Sequence, residues 1–442
     1  MHLYDPEFLF AFLPLFIGLY AVIPSKKRPI LIMLGNLLFM YTAGKYALIG
    51  FLIVFFCAYF SGISIYNMRN DPEKELFRRK LLGGNIAFFT AVFAFFSVSG
   101  VGGMEKLLFA PSSVYFMAVV PLHLVSYLFD VYRGDCEAQT RLSSLAAYAG
   151  FFPSASFGPI LKYKSFENSF KAPKMSVKKM ASGIRLYIFG LVEYLIIARR
   201  LEAIRTEMIS APDSLRGGTG WLFVPLFYVM FTLSILGMIH MGRGVALMLG
   251  FYVRPPSRRT FFTDTLLKRF RQMNEPLAGW LNDYIYKPLR QSTGKESTAL
   301  LGAICAGALW YSFSLWWALA GAAVTGLIAL QMSIYKNHVT LSVKLKGLIT
   351  RLLTFVAAVF CVLMELPSDG IMLFNSSANI DNAFLWHLVS ETAIPITIGA
   401  LFIGSLLPEL IRRINYVRVR ALIPVVELFL LVVCISFMLN IV

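Results

Sequence analysis

Residues 269–321 hold the polar side chains that are the best candidates for chemistry. The first part of this stretch alternates aromatic and aliphatic residues with polar ones, namely Arg269, Arg271, Asn274, Glu275, Asn282, Asp283 and Lys287. Lipid does not accept so many polar groups, so the segment must lie at a membrane interface or in a cavity lined by protein. An amphipathic surface helix and a substrate cavity are both consistent with this pattern.

A second pair of ionisable residues ends an apolar run at residues 221–241. His240 and Arg243 are three residues apart and therefore share one face of a helix. Charged residues inside a membrane segment indicate function. These two lie near its predicted cytoplasmic end, however, where a long side chain reaches water at little cost. His123 lies in another apolar run, where a single histidine is more often packed against a neighbour than catalytic.

The composition indicates a membrane protein. The 442 residues are 57% hydrophobic, with a mean hydropathy of +0.68. Apolar runs long enough to cross a bilayer recur along the chain. The sequence therefore predicts an all-α polytopic membrane protein. Its net charge of +17 comes from basic residues in the short loops between those runs. This distribution orients a membrane protein and argues against binding of nucleic acid.

Charge and spacing also predict the topology. Asp5 and Glu7 precede the first apolar run, where a cleavable signal peptide would be basic, so we expect the first helix to be retained. The basic loops should be cytoplasmic, with both termini outside. The five cysteines are scattered without metal-ligand spacing, and we expect neither a disulfide framework nor a metal site.

Two apolar stretches do not fit a single crossing. Residues 142–160 lie between two segments that both read as cytoplasmic, and Pro153, Gly158 and Pro159 interrupt any helix there. We predict re-entrant half-helices, which persist at membrane depth only where protein covers them or where they line a cavity. Residues 299–332 are too long for one crossing, and we predict a helical hairpin that turns between Tyr311 and Ser314.

Residues 251–296 have the highest density of basic side chains in the chain. They include Arg254, Arg258, Arg259, Lys268, Arg269 and Arg271. We expect this region to be cytoplasmic, where it can meet anionic lipid headgroups or an anionic substrate. Most of these residues, taken singly, are expected on a solvated face.

Four segments in order resemble those of the membrane-bound O-acyltransferases. They are residues 126–134 (SYLFDVYRG), residues 151–153 (FFP) with 158–160 (GPI), residues 280–289 (WLNDYIYKPL) and residues 308–310 (ALW). The chain is most similar to the bacterial branch that includes the alginate O-acetylation membrane subunit and the membrane protein of teichoic-acid D-alanylation. The resemblance extends over residues 8–439.

The resemblance implies a fold. It suggests one integral domain over residues 1–442, with about 11 to 13 membrane helices and re-entrant half-helices around a central chamber. Within it, residues 8–129 would form the N-terminal spans and residues 142–160 the re-entrant segment. Residues 181–364 would form the acyltransferase core, and residues 394–439 the C-terminal spans.

The resemblance also implies a reaction. Members of the family move an acyl group from a cytoplasmic donor, acyl-CoA such as acetyl-CoA or an acyl carrier protein, to an acceptor reached through the membrane. Here the acceptor would be an extracytoplasmic polysaccharide or another cell-envelope polymer. The location would be the bacterial cytoplasmic membrane, and a partner acyltransferase outside it would finish the transfer.

Two positions carry the family's chemistry, and the resemblance assigns them to Asn274 and Tyr311. Asn274 stands just before the Trp-Leu-x-Asp-Tyr segment, where the family has histidine or asparagine. Tyr311 follows Leu309-Trp310, where the family has the histidine regarded as catalytic. Residues expected to line the chamber or to bind substrate are Trp280, Asp283, Tyr286, Trp310 and Arg243.

Tyrosine at position 311 changes the expected chemistry. Acyl transfer to a hydroxyl needs a group that takes its proton near neutral pH. Imidazole suits this with a pKa of about 6.5, whereas a phenol with a pKa of about 10 stays protonated. Loss of a general base typically costs on the order of 10² to 10⁴ in rate. The tyrosine hydroxyl is still able to donate to a developing oxyanion.

Three hypotheses follow. The protein is an O-acyltransferase that uses another base, with His240, His123 or Tyr311 itself as candidates. Alternatively, it is a catalytically degenerate relative that serves as an acyl-transport or scaffold component of an envelope-modification system. The third hypothesis is an ordinary transporter, against which the order of the four motifs argues.

Overall fold

The computed structural model describes residues 1–99, 111–154, 158–171, 175–210, 220–251, 265–311, 315–337, 342–365, 382–403 and 417–440. These residues are almost entirely helical and contain no strand. Within them, five helices are long and apolar enough to cross a membrane, namely Lys45–Asn67, Val177–Ser210, Trp221–Met248, Leu315–Lys336 and Lys344–Glu365. The prediction of an all-α polytopic membrane protein is confirmed.

The chain divides into two compact units. The first comprises Met1–Tyr187 and Met238–Arg254, and the second comprises Ile188–Gly237 and Pro255–Val442. The part of the first unit from Met1 to Tyr187 contains the following helices: α1 (Leu13–Val22), α2 (Arg28–Ala43), α3 (Lys45–Asn67), α4 (Glu75–Ser99), α5 (Pro111–Arg133), α6 (Leu142–Ala149), α7 (Tyr163–Lys171) and most of α8 (Val177–Leu191).

The second unit begins at the end of α8. Its helices are α9 (Arg199–Ser210), most of α10 (Gly220–Met248), α11 (Leu266–Met273), α12 (Glu275–Leu281), α13 (Lys287–Thr293), α14 (Glu296–Tyr311), α15 (Leu315–Asn337), α16 (Val343–Glu365), α17 (Asn382–Ile403) and α18 (Val417–Asn440). Three π-helical segments, Phe8–Phe12, Val192–Ala198 and Asn282–Tyr286, adjoin these helices.

The re-entrant stretch is broken in the first unit, as its prolines predict. Helix α6 ends at Ala149, a 3-10 turn follows at Phe152–Ser154, and α7 starts only at Tyr163. Phe152 enters a cluster of aromatic rings at centroid distances of 5.0 to 6.3 Å, formed by Phe8, Phe12, Phe16 and Phe39. Aromatic packing of this kind holds the break in the core.

Two buried side chains satisfy the backbone groups that the break exposes. Asn36 of α2 donates to the carbonyls of Ala146 and Ala147 at 3.1 and 3.2 Å and accepts from the Phe152 N–H at 3.0 Å. His123 of α5 lies between the Ala149 carbonyl at 3.3 Å and the Leu161 N–H at 3.2 Å. Since a buried backbone group without a partner is costly, these contacts fix the path of the chain.

Glycine permits the closest approach to this break. Gly242 of α10 is so close to the carbonyl oxygens of Pro153 and Gly158 that a Cβ atom there would overlap both. The C-terminal part of α10 therefore packs directly on the interrupted segment, within the first unit.

The hairpin predicted in the second unit is confirmed. Helix α14 ends at Tyr311, α15 starts at Leu315, and the two pack against each other. Ser312 to Ser314, where the turn was predicted, lie outside the described residues. Arg254, Arg258 and Arg259 of the basic region also lie outside them.

The polar segment of the second unit is tied to the hairpin. Thr265 caps α11, and the Leu266 N–H donates to the side chain of Gln331 in α15 at 2.7 Å. Arg269 donates to Thr354 of α16 at 3.0 Å and is 4% exposed. The solvated face expected for these basic residues therefore does not include Arg269, because a hydroxyl of the neighbouring helix accepts from its guanidinium.

Replacing Asn36 with leucine should destabilise the first unit. Leucine has a similar size but leaves the Ala147 carbonyl and the Phe152 N–H in the core without the contacts from Asn36, each at a cost of about 1–3 kcal/mol. The Ala146 carbonyl keeps its contact with the Gly150 N–H. We expect a clear fall in the thermal unfolding midpoint of the purified protein. The exposed Asn67→Leu substitution is the matched control and should stay within about 0.5 kcal/mol. Equal midpoints for the two variants would contradict this account.

Candidate functional site

Asn274 links a helix start to the end of the hairpin. Its side-chain oxygen accepts from the Leu277 N–H at 3.1 Å and so caps α12, while its amide nitrogen donates to the Tyr311 hydroxyl at 3.1 Å. Because the backbone N–H must meet the oxygen, the amide orientation is set by its contacts. Asn274 is 3% exposed. Sequence resemblance alone predicted that these two residues share a site, and the structure brings them together.

Aromatic side chains fix the ring of Tyr311. Its centroid lies 5.2 Å from Phe231, 5.1 Å from Trp310 and 6.3 Å from Trp317. Trp317 is held in turn by a hydrogen bond from its indole nitrogen to Glu365 at 2.7 Å. Helices α10, α14, α15 and α16 therefore all contribute to the position of one phenol.

Asn274 and Tyr311 line a cavity of about 160 Å³ in the second unit. Most of the wall is apolar and comes from α11, α12, α14 and α15. The residues with aliphatic, aromatic or small side chains that line it include Leu267, Phe270, Leu277, Leu281, Leu300, Ala303, Ile304, Gly307, Ala308, Ala320, Gly321 and Val324. An engineered apolar cavity of similar volume binds benzene, so this one has room for a small apolar group.

The amide of Asn274 gives this apolar cavity a hydrogen-bond donor. One of its two N–H bonds points to Tyr311, and among the described residues the other has no acceptor. A carbonyl oxygen is the complementary ligand, because a buried N–H without a partner costs free energy. The arrangement suits a short acyl group with its carbonyl at Asn274 and its chain against the aliphatic wall.

The described lining residues include no histidine, aspartate or glutamate. The polar members besides Asn274 and Tyr311 are Arg271, Asn282 and Tyr286, with the indole of Trp317 and the thiol of Cys361. Arg271 is exposed, so the cavity reaches the surface beside a positive charge. Among the polar side chains of this wall, hydrogen-bond donors thus outnumber groups that can take a proton near neutral pH.

The other residues predicted for the chamber fall into two groups. Tyr286 lines the cavity and donates to Glu296 at 3.3 Å. Trp280 and Trp310 are buried but are not part of its wall. Asp283 is also outside the wall, since it pairs with Lys287 at 2.7 Å and accepts from Asn282 at 2.9 Å.

The histidines proposed as alternative bases lie elsewhere. His240 and Arg243 belong to the part of α10 in the first unit, and neither lines the cavity. Arg243 is buried and His240 is partly exposed. At His123 the Leu161 N–H donates to Nε2, so the proton is on Nδ1 and donates to Ala149. With both ring nitrogens engaged, His123 supports the backbone, and it does not line the cavity at Asn274.

Sequence reasoning did not find Phe231, Trp317 and Cys361, which come from α10, α15 and α16. In each helix they stand among other apolar residues, so no local pattern sets them apart. For Trp317 the sequence contains one indication. A buried indole needs a hydrogen-bond acceptor, and Glu365 provides a carboxylate at the end of an apolar run.

Comparison with known proteins agrees with the motifs. The model of the membrane-bound O-acyltransferase family matches residues 139–365, just over half of the chain. Probable alginate O-acetylase AlgI from Azotobacter vinelandii is 26% identical over 332 residues, covering 71% of this chain and 66% of that protein. The Pseudomonas putida and Pseudomonas aeruginosa proteins of that name are each 25% identical, over 71% of this chain and 67% and 63% of their own. The chain thus spans about two thirds of these relatives.

Two substitutions at Asn274 should separate its two contacts. Serine is as good a helix cap as asparagine but is too short to donate to Tyr311, whereas alanine removes the cap as well. Both variants lose the hydrogen bond to Tyr311, and only alanine also loses the cap, so we expect Asn274→Ala to cost about 1 kcal/mol more unfolding free energy than Asn274→Ser. Denaturant unfolding of the purified protein measures both. A larger loss for serine than for alanine would contradict the assigned cap.

Proposed function

We propose that this chain, which belongs to the membrane-bound O-acyltransferase family, is a membrane O-acyltransferase that binds its acyl group beside Asn274. The observation that supports the proposal is the apolar cavity with an amide donor in its wall. The donor would be an acyl-CoA such as acetyl-CoA or the thioester of an acyl carrier protein. Arg271 provides a positive charge where the cavity reaches the surface.

In the proposed reaction, a hydroxyl oxygen attacks the thioester carbonyl; it belongs to the acceptor polymer or to a carrier from which the partner acyltransferase passes the acyl group to that polymer. The carbon–oxygen bond forms, the carbon–sulfur bond breaks, and the hydroxyl proton leaves with the thiol. During the attack negative charge builds on the carbonyl oxygen, which the Asn274 N–H would stabilise because it is already oriented by the helix cap. Tyr311 would hold the amide in place through its hydroxyl.

The relatives suggest the acceptor, since they are named as probable alginate O-acetylases. We propose an extracytoplasmic polysaccharide or another cell-envelope polymer. The proposed setting is the bacterial cytoplasmic membrane, with the basic loops in the cytoplasm and both termini outside. A partner acyltransferase on the outer side would complete the transfer.

The wall of the cavity favours a second candidate function. None of its described residues is an imidazole or a carboxylate, so removal of the hydroxyl proton has no group assigned to it there. In this candidate the protein is catalytically degenerate. It would receive the acyl group and pass it on, as an acyl-transport or scaffold component of an envelope-modification system.

Transfer from radiolabelled acetyl-CoA distinguishes the two candidates. The purified wild-type protein, Asn274→Ser, Tyr311→Phe and Tyr311→His are compared with a polysaccharide acceptor. If the wild type is an acyltransferase, it should transfer label, and Asn274→Ser should lower the rate by about 10² or more, as loss of an oxyanion donor does.

The degenerate candidate predicts a different result in the same assay. Label would reach the acceptor only with Tyr311→His, because only that variant adds a group with a pKa near neutrality. Asn274→Ser would then weaken acetyl-CoA binding, and there would be no transfer rate for it to lower. A wild type and a Tyr311→His variant that neither bind nor transfer the acetyl group would contradict both candidates.

The cavity volume predicts a preference for short acyl groups. Ala303 and Gly307 face the cavity from successive turns of α14. A leucine at position 303 would occupy much of a volume suited to a group the size of benzene. We expect Ala303→Leu to exclude butyryl-CoA and to weaken acetyl-CoA less.

Competition binding with acetyl-CoA, butyryl-CoA and octanoyl-CoA measures this preference. Ala299→Leu, one turn earlier on α14 and outside the cavity wall, is the control for overpacking of a buried position. An unchanged chain-length profile in Ala303→Leu would show that acyl groups bind elsewhere.

A further inference from the structure

A second cavity, of about 320 Å³, lies entirely in the first unit. It is lined by Ser25, Lys26, Pro29, Gln139, Arg141, Ser144, Tyr163, Phe166 and Glu167. In contrast to the cavity at Asn274, seven of these nine residues have polar or charged side chains. Its volume is within the usual range of small-molecule sites.

Three helices begin at this cavity. Ser25 and Lys26 precede the start of α2 and Pro29 lies in its first turn; Arg141 is the N-cap of α6, and Tyr163 starts α7. Each helix start carries about half a positive elementary charge. At α2 the preceding 3-10 turn engages the Lys27 and Arg28 N–H groups with the carbonyls of Pro24 and Ser25. No side chain caps α6, so its first N–H groups need acceptors and are the backbone donors beside the cavity, as at anion sites.

Two basic side chains add to this field. Lys26 and Arg141 both line the cavity, and among the described residues neither forms a salt bridge. Ser25 and Ser144 contribute hydroxyl groups. Glu167 is the one carboxylate in the described wall, so the side chains leave one net positive charge before the helix starts are counted.

Tyr163 places a hydrogen-bond donor in the buried wall. It is 3% exposed, and its hydroxyl accepts from the Gln139 amide at 2.9 Å. Gln139 is held in that orientation because its oxygen accepts from the Arg141 N–H at 3.0 Å. Burial raises the pKa of Tyr163, which therefore keeps its proton. That proton has no acceptor among the described residues, so the wall contains a buried donor that a ligand can satisfy.

From this convergence we infer that the cavity binds the phosphate group of a ligand on the side of the membrane where the basic loops lie. Lys26 and Arg141 would pair with the phosphate charge, and the N–H groups at the start of α6 and the Tyr163 hydroxyl would donate to its oxygens. The same chemistry is offered by a soluble phosphorylated molecule and by the headgroup of an anionic phospholipid. The inference is independent of the function proposed for the cavity at Asn274.

The test uses the full chain in nanodiscs of phosphatidylcholine, titrated calorimetrically with inorganic phosphate and with coenzyme A. A Lys26→Ala, Arg141→Ala double variant should weaken binding about tenfold or more, as loss of two charged contacts requires. Glu167→Gln should tighten binding about threefold because it removes a like charge. Lys27→Ala is the matched control, since it lies beside Lys26 in the same 3-10 turn but outside the cavity wall.

A second arm identifies the source of the phosphate. Copurification of phosphatidylglycerol is compared for the same variants in mixed nanodiscs. Weaker coenzyme A binding by the double variant with unchanged lipid retention supports a soluble ligand, and the reverse pattern supports a lipid headgroup. If the double variant matches Lys27→Ala in both arms, with equal thermal stability, the inference is overturned.

Discussion

The amide of Asn274 is the interaction on which the candidate site depends. Its oxygen accepts a hydrogen bond from the Leu277 N–H at the start of α12. Its nitrogen donates to the Tyr311 hydroxyl at the end of α14. Because both contacts use the same rigid planar group, the start of one helix fixes the position of the end of another. A donor held in this way needs no reorganisation when a carbonyl arrives, which is what electrostatic stabilisation requires.

The surroundings of this amide determine what it can do. The aliphatic wall of the cavity excludes water, and hydrogen bonds inside the cavity are therefore stronger than at the protein surface. The phenol of Tyr311 is protonated near neutral pH. Asn274 and Tyr311 are therefore better suited to donate a hydrogen bond to a carbonyl than to take a proton. Acyl binding and proton removal are therefore separate requirements, and the described wall contains the apolar surface and the amide donor that the first would use. This separation is why the cavity is compatible with both candidate functions, transfer of an acyl group and carriage of one.

Sequence predicted the architecture where length and charge constrain it. Residues 299–332 had to form a hairpin because one crossing cannot contain them and basic residues follow on the same side. The meeting of Asn274 and Tyr311 followed from the ordered motifs and not from any local pattern. Trp317 and Phe231 were missed because their role arises only when α10 and α15 pack around one ring. Burial of Arg269 was missed for the same reason, since Thr354 is 85 residues away.

The same physical device recurs at two buried helix interruptions in the described part of the chain. Asn36 and His123 supply the donors and acceptors that the backbone loses between α6 and α7, and Asn274 does so at the start of α12. An apolar interior offers no water for these groups, so at a buried break the protein itself must supply their hydrogen-bond partners. A buried amide or imidazole in such a chain is therefore first a structural requirement. It becomes a functional candidate when, as at Asn274, one donor is left over and a cavity lies beside it.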